Sequence, residues 1–164
     1  MTTQPRMNYY AAAPALYSAF ARVSEDLKKS GFDPILRSLV ELRASQINGC
    51  IFCIDMHTKE ARIAGERELR LHHLAAWRES PLFSSRERAA LAWTEALTRL
   101  GAYGAGGEVE QGFESLRGHF SEGEIAQLTL LVATINAWNR IGVGFGSVPG
   151  SLDTMYGLDK AGLH

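Results

Sequence analysis

From Ile125 to Ile135 the chain reads as a helix that is apolar almost all round, with Leu128, Leu130, Leu131 and Val132 on different sides. A helix apolar on every side is normally buried on every side. The segment is therefore either a central core helix or one that also meets another subunit. A capping box, Ser121 with Glu124, opens it, and the pattern runs to about Phe145.

The same helical period recurs along the rest of the sequence. Leu16, Phe20, Val23 and Leu27 follow one helix face until Ser30-Gly31. Asp33 is placed to cap a second helix with Pro34 in its first turn, and Leu36, Val40 and Ile47 share a face as far as about Asn48-Gly49. A third helix begins near Cys50, carries Cys53, His57 and Ala61, and stops at Gly65; a shorter one spans about Glu66 to Trp77. Ser84 and Glu87 form another capping box ahead of Ala90, Trp93, Leu97 and Leu100. Residues 101–107, rich in glycine, read as a loop, and a short helix through Phe113 and Leu116 follows. Beyond Phe145 lies a Gly/Pro-bearing tail. No stretch alternates as a strand does, so residues 1–164 are expected to form a single all-α domain of about seven helices.

Charge narrows the function. The 164 residues carry 17 basic and 18 acidic side chains, well mixed, for a net charge of −1. That balance offers no footprint for nucleic acid or an anionic membrane. No apolar run reaches the roughly 20 residues that span a bilayer. The polar start, Met1 to Arg6, lacks the apolar stretch of a signal peptide, so a cytoplasmic location is expected.

The chain has two cysteines, Cys50 and Cys53, in the run ELRASQINGCIFCIDMH from Glu41 to His57. So short a loop staples nothing, and in a reducing compartment a close pair points to redox chemistry or metal binding. On a helix, Cys50, Cys53 and His57 fall within about 60° of one another. Gly49 breaks the preceding helix, so the pair occupies the first turn of the next, where free N–H groups and the helix dipole favour a thiolate. His57 is one turn beyond Cys53, a basic partner for it. Its other ring nitrogen needs an orienting acceptor, and Glu41 fills that role if the chain folds back at Asn48-Gly49. Such a relay suits a thiolate that opens a peroxide O–O bond and then forms a disulfide. Two plainer readings stand beside it: Cys50, Cys53 and His57, with Glu41 as a fourth, offer zinc ligands, and Arg37, four residues before Glu41, is a ready salt-bridge partner. His72-His73 and the glycines of 101–107 carry no ligand or phosphate-loop spacing. Trp77, Trp93 and Trp138 read as core or interface anchors and Arg140 as a packing residue.

The run Leu42 to Cys50 with Cys53 and His57, then Asp55 to Ala61, Ala76-Trp77-Arg78-Glu79 and Ala133 to Arg140, resembles the AhpD-like alkylhydroperoxidases of the carboxymuconolactone decarboxylase superfamily. The resemblance implies an all-helical fold assembled as a homo-oligomer, a trimer or hexamer. It implies a thiol peroxidase acting on organic hydroperoxides or hydrogen peroxide, with Cys53 attacking, Cys50 resolving, and His57 and Glu41 as the proton relay. It further implies no bound cofactor but an external dithiol reductant, of lipoyl type, or its carrier protein. The founding enzymes carry a histidine inside the CxxC where this chain has Phe52, and the decarboxylase members act without a cysteine pair. A dithiol-disulfide oxidoreductase or redox sensor is the alternative use of the same residues.

Overall fold

The structure is a computed structural model that describes residues 4–100 and 107–163. Among these residues there are nine α-helices and no strand. They are α1 (Tyr9–Ala12), α2 (Pro14–Lys29), α3 (Pro34–Asn48), α4 (Ile51–Ile63), α5 (Glu68–His73), α6 (Ser85–Thr98), α7 (Gly107–Arg117), α8 (Glu122–Phe145) and α9 (Asp153–Tyr156). Short 3₁₀ turns cover Leu74–Ala76 and Leu158–Ala161. The seven helices of six residues or more are those legible in the sequence; α1 and α9, four residues each, are the additions. Of the glycine-rich loop, residues 101–106 lie outside the described residues.

Local chemistry sets the boundaries. Asp33 accepts from the N–H groups of Ile35 and Leu36, with Pro34 next in line. Ser84 with Glu87 and Ser121 with Glu124 each complete a reciprocal capping box. Gly49 ends α3 in the left-handed conformation at φ +66°, where a side chain would be strained.

The hub is α3 rather than α8. It packs against α4, α6 and α8, and every residue from Ser38 to Ser45 is buried, including Glu41 and Arg43. One side of it joins α6, α7 and α8 through Leu36, Val40, Trp93, Leu116, Leu128 and Val132. The other side, with Leu39 and Leu42, meets Leu74, Trp77, Phe83 and Leu91. Each such side chain, fully buried, contributes about 1.5–3 kcal/mol. The Arg43 charge is met inside by Glu95 at 2.6 Å, which also accepts from the Trp77 indole at 2.9 Å.

Two apolar faces are only partly covered within the chain. Helix α8 buries Leu128, Leu131, Val132 and Ile135, but Leu130 is 58% exposed, so one stripe of the helix faces outward. On α2 no residue is buried: Leu16 and Val23 face solvent, Leu27 packs against the core, and Phe20 meets Trp138 at 4.6 Å. Among the described residues no helix is long and apolar enough to cross a membrane.

Candidate active site

The α3–α4 corner places the cysteines. Cys50 is the N-cap residue of α4, and its N–H donates to Ser45 O at 3.1 Å. Cys53 lies in the first helical turn, with the two sulfurs joined as a disulfide and the Cα atoms 5.3 Å apart. Both residues are buried. Helix α8 closes over them at Gly142. A methyl group there would sit 3.0 Å from Cys50 Sγ and 3.5 Å from Cys53 Sγ, so only glycine allows this approach.

A polar network fixes the corner from behind. Asn48 donates to Asn136 Oδ1 at 2.9 Å and to Asn139 Oδ1 at 2.8 Å. The buried Asn139 donates in turn to Ser45 Oγ at 2.9 Å, and Ser45 Oγ to Glu41 O at 2.7 Å. Each buried polar group is thereby satisfied, and α8 is locked to the end of α3.

The fold-back brings Glu41 to His57, with Oε2 3.5 Å from Nδ1. A closer acid was missed in the sequence: Glu60, one turn on from His57, has Oε2 2.8 Å from the same nitrogen. Its signal, an acid at i+3, is common on solvated helix faces. Lys28, from α2, donates to Glu60 Oε1 at 2.5 Å, and Arg37 stands 3.7 Å from Glu41. Nδ1 is thus claimed by acids, and among the described residues Nε2 has no hydrogen-bond partner.

These contacts divide the protons. Burial works against charge on His57, but Glu41 and then Glu60 outweigh it and raise the imidazole above its usual range. Burial also works against charge on Glu60, yet the bond to His57 and the Lys28 ammonium hold it well below the carboxylate range. For Glu41 burial prevails over His57, Lys28 and Arg37, and its affinity for a proton rises. The contacts favour the charged forms of His57 and Glu60 as a pair, and burial favours the protonated form of Glu41 beside them.

Glu41, His57 and Glu60 each offer a donor atom, all within 4.8 Å of one another. Lys28 already gives Glu60 one positive charge, at 2.5 Å. The zinc set considered from sequence would need both cysteines as thiolates, whereas Cys50 and Cys53 are bonded to each other here.

Cys53 and His57 line one cavity of about 130 Å³. Trp138, read from sequence as a packing anchor, is part of its wall, with its indole N–H on Ser24 Oγ at 2.8 Å. Trp77 and Trp93 are core residues as expected. Arg140 is exposed and, among the described residues, bonds only along its own helix, to Asn136. His73 meets Ser80 Oγ at 3.0 Å, and His72 is exposed beside Glu68.

Comparison with known proteins places the chain. The model of the carboxymuconolactone decarboxylase family matches residues 14–96. The uncharacterised protein YdfG of Bacillus subtilis (strain 168) is 37% identical over 142 residues, 87% of this chain and 95% of YdfG. A crystal structure from Agrobacterium tumefaciens, of a protein of unknown function described provisionally as the antioxidant defence protein AhpD, is similar with a TM-score of 0.83. It is 42% identical and aligns over 89% of this chain and 98% of that one. An uncharacterised peroxidase-related protein from Ralstonia eutropha JMP134, described as an alkylhydroperoxidase AhpD core, shares the fold at 22% identity with a TM-score of 0.74, over 87% and 75% of the two chains. With the family matched over half its length and YdfG related over most of it, the chain belongs to the carboxymuconolactone decarboxylase family, among its AhpD-like proteins.

Proposed function

We propose that the chain is a thiol peroxidase that reduces organic hydroperoxides or hydrogen peroxide through a Cys50/Cys53 dithiol–disulfide cycle. One observation carries this reading: Cys53 and His57 line the same cavity, while Cys50, bonded to Cys53, lies outside its lining. The sulfur that meets a small substrate is then Cys53, and the sulfur behind it is the resolving one.

In the reduced protein the His57 imidazolium, held by Glu60, favours the Cys53 thiolate. The thiolate attacks a peroxide oxygen, the O–O bond breaks, and Cys53 becomes a sulfenic acid. The departing alkoxide takes the Nε2 proton of His57, while Nδ1 keeps its own toward Glu60 and Glu41; the dithiol's protons recharge the imidazole when the thiols are restored. The Cys50 thiol then attacks the sulfenic sulfur, forming the disulfide and releasing water. An external dithiol, for which we propose the lipoyl type, returns both thiols by two exchange steps and leaves as its own disulfide. The sum is hydroperoxide plus dithiol giving alcohol, water and the oxidised dithiol.

The test is peroxide consumption by reduced protein with dihydrolipoamide, alongside Cys53→Ser and Cys50→Ser. Multiple turnovers lost in Cys53→Ser, with Cys50→Ser stalling as a sulfenic acid, are expected. Full turnover by Cys53→Ser would overturn the proposal. One equivalent consumed with no turnover would favour a redox sensor.

A further inference from the structure

Two parts of the chain with no assigned role, the leader before α2 and the tail after α8, meet above Cys53. Tyr9 from the first, with Tyr17 of α2 beside it, and Leu152 and Tyr156 from the second, line the cavity together with Cys53 and His57. Both ends are fastened. The Arg6 guanidinium donates to the terminal carbonyls of α8, Val143 O at 2.7 Å and Gly144 O at 2.8 Å, while its backbone N–H donates to Phe145 O at 2.8 Å. Cationic donors are favoured at such a helix end. The tail is held through Lys59, buried between Asp55 at 2.8 Å and Asp153 at 2.6 Å, and through the Gly150 N–H on Asp55 at 3.0 Å.

The walls are aromatic, and the polar groups around them are engaged except at the Cys53 end, where His57 Nε2 and Glu41 Oε2 have no hydrogen-bond partner among the described residues. Tyr9 stacks on Phe145 at 4.8 Å, and Tyr17 meets Trp138 edge-on at 6.0 Å. Burial and the neighbouring Tyr156 hydroxyl push the Tyr17 phenol up to about 12, so it stays neutral. Lys28, Glu41 and His57 are tied into the ion cluster, and Ser24 is taken by Trp138. What remains for a ligand is apolar surface with one reactive end. The volume, about 130 Å³, is that of a small organic molecule; a dry apolar cavity of about 150 Å³ in another protein binds benzene. Tyr9, Leu152 and Tyr156 lie outside residues 14–96, so the family match does not account for them.

We propose that this roofed cavity is a binding pocket for a compact apolar molecule of about one aromatic ring, and that Tyr9, Tyr17, Leu152 and Tyr156 set its upper size. The reacting group at Cys53 rests on the peroxidase reading; the pocket itself does not. Each methylene-sized group buried there strengthens binding by about fourfold. Cumyl hydroperoxide therefore has a KM at least about 100-fold below that of hydrogen peroxide, and a long-chain fatty acid hydroperoxide is disfavoured by the roof.

The first experiment needs no turnover. The oxidised protein is titrated with 2-phenyl-2-propanol, the alcohol cumyl hydroperoxide leaves, by calorimetry and by tryptophan fluorescence. Saturable binding is expected, weakened about tenfold in Ala21→Phe, which fills the cavity from α2. In turnover, Ala21→Phe lowers the cumyl-to-hydrogen-peroxide ratio of kcat/KM about tenfold. Tyr156→Ala, at a half-exposed position, raises the long-chain-to-cumyl ratio by a similar factor. No saturable alcohol binding, or ratios unchanged in both variants, would overturn the pocket. Alcohol binding without peroxide consumption would retain the pocket and reject the peroxidase.

Discussion

Gly142→Ala is a one-methyl perturbation whose sign depends on the redox state. The added Cβ sits 3.0 Å from Cys50 Sγ. Comfortable carbon contacts begin at about 3.5 Å, and sulfur is larger, so the overlap is at least about 0.5 Å. Overpacking of this kind costs about 1–3 kcal/mol, against about 1 kcal/mol gained by replacing a helical glycine with alanine. In the oxidised protein Cys50 Sγ is tied to Cys53 and cannot swing away. A net loss of up to about 2 kcal/mol is expected, or up to about 8 °C in Tm for a chain of this size. In the reduced protein the sulfur can rotate about χ1, the overlap is relieved, and the variant matches or exceeds the parent by up to about 4 °C. The assay is thermal melting by circular dichroism, with and without excess reductant, on both proteins and on the Cys50→Ala/Gly142→Ala pair. The double variant removes the clash and isolates the coupling. The same shift in both redox states would refute the reasoning.

Glu60→Gln keeps the shape at His57 but removes the charge that pairs with both His57 and Lys28. Hydrogen bonds to charged groups are worth about 1.5–3 kcal/mol, so peroxide kcat/KM should fall about 10–100-fold and its alkaline limb move to lower pH. An unmoved limb would count against Glu60 as the anchor of His57. Asn139→Ala removes one partner each from Asn48 and Ser45 and should lower stability by about 1–3 kcal/mol, read as a drop in the denaturant midpoint. The ion cluster also sets a pH signature. Glu41 and His57 bind protons more tightly folded than unfolded, so their contributions fade as pH rises above 4.5 and 6.5 respectively. Glu60 acts in the opposite sense: its contribution is present above 4.5 and is lost as pH falls through its depressed value. The urea midpoint should therefore be highest in mild acid and decline above neutrality, less steeply in a Glu41→Gln/His57→Gln variant.

The helices were legible where their ends are written chemically: Asp33-Pro34, Ser84 with Glu87, Ser121 with Glu124, and Gly49. The short helices α1 and α9 were not, because a four-residue turn is too brief to show a period. The α2 helix was legible too, but its spacing could not show that Leu16 and Val23 lie uncovered. In the site, Cys50, Cys53 and His57 shared a face by local geometry, and Glu41 joined through the chain reversal at Gly49. Glu60 was within reach of the same reasoning, but the spacing could not show that Lys28 would arrive from α2 to hold it. The roof was beyond it altogether. Tyr9 and Tyr156 lie far apart in the chain and come together only through the anchors Arg6 and Lys59.

The hydrogen bonds that hold the α3–α4 corner involve Ser45, Asn48, Asn136 and Asn139, and none of them passes through sulfur. Making or breaking the Cys50–Cys53 bond therefore leaves the backbone scaffold with nothing to rebuild. In the proposed dithiol–disulfide cycle, side-chain rotation at the two cysteines is then all that the corner requires. The same stillness leaves little change of shape for a partner to detect. On the peroxidase reading, such a corner lends itself to repeated chemistry more than to passing on the news that it has been oxidised.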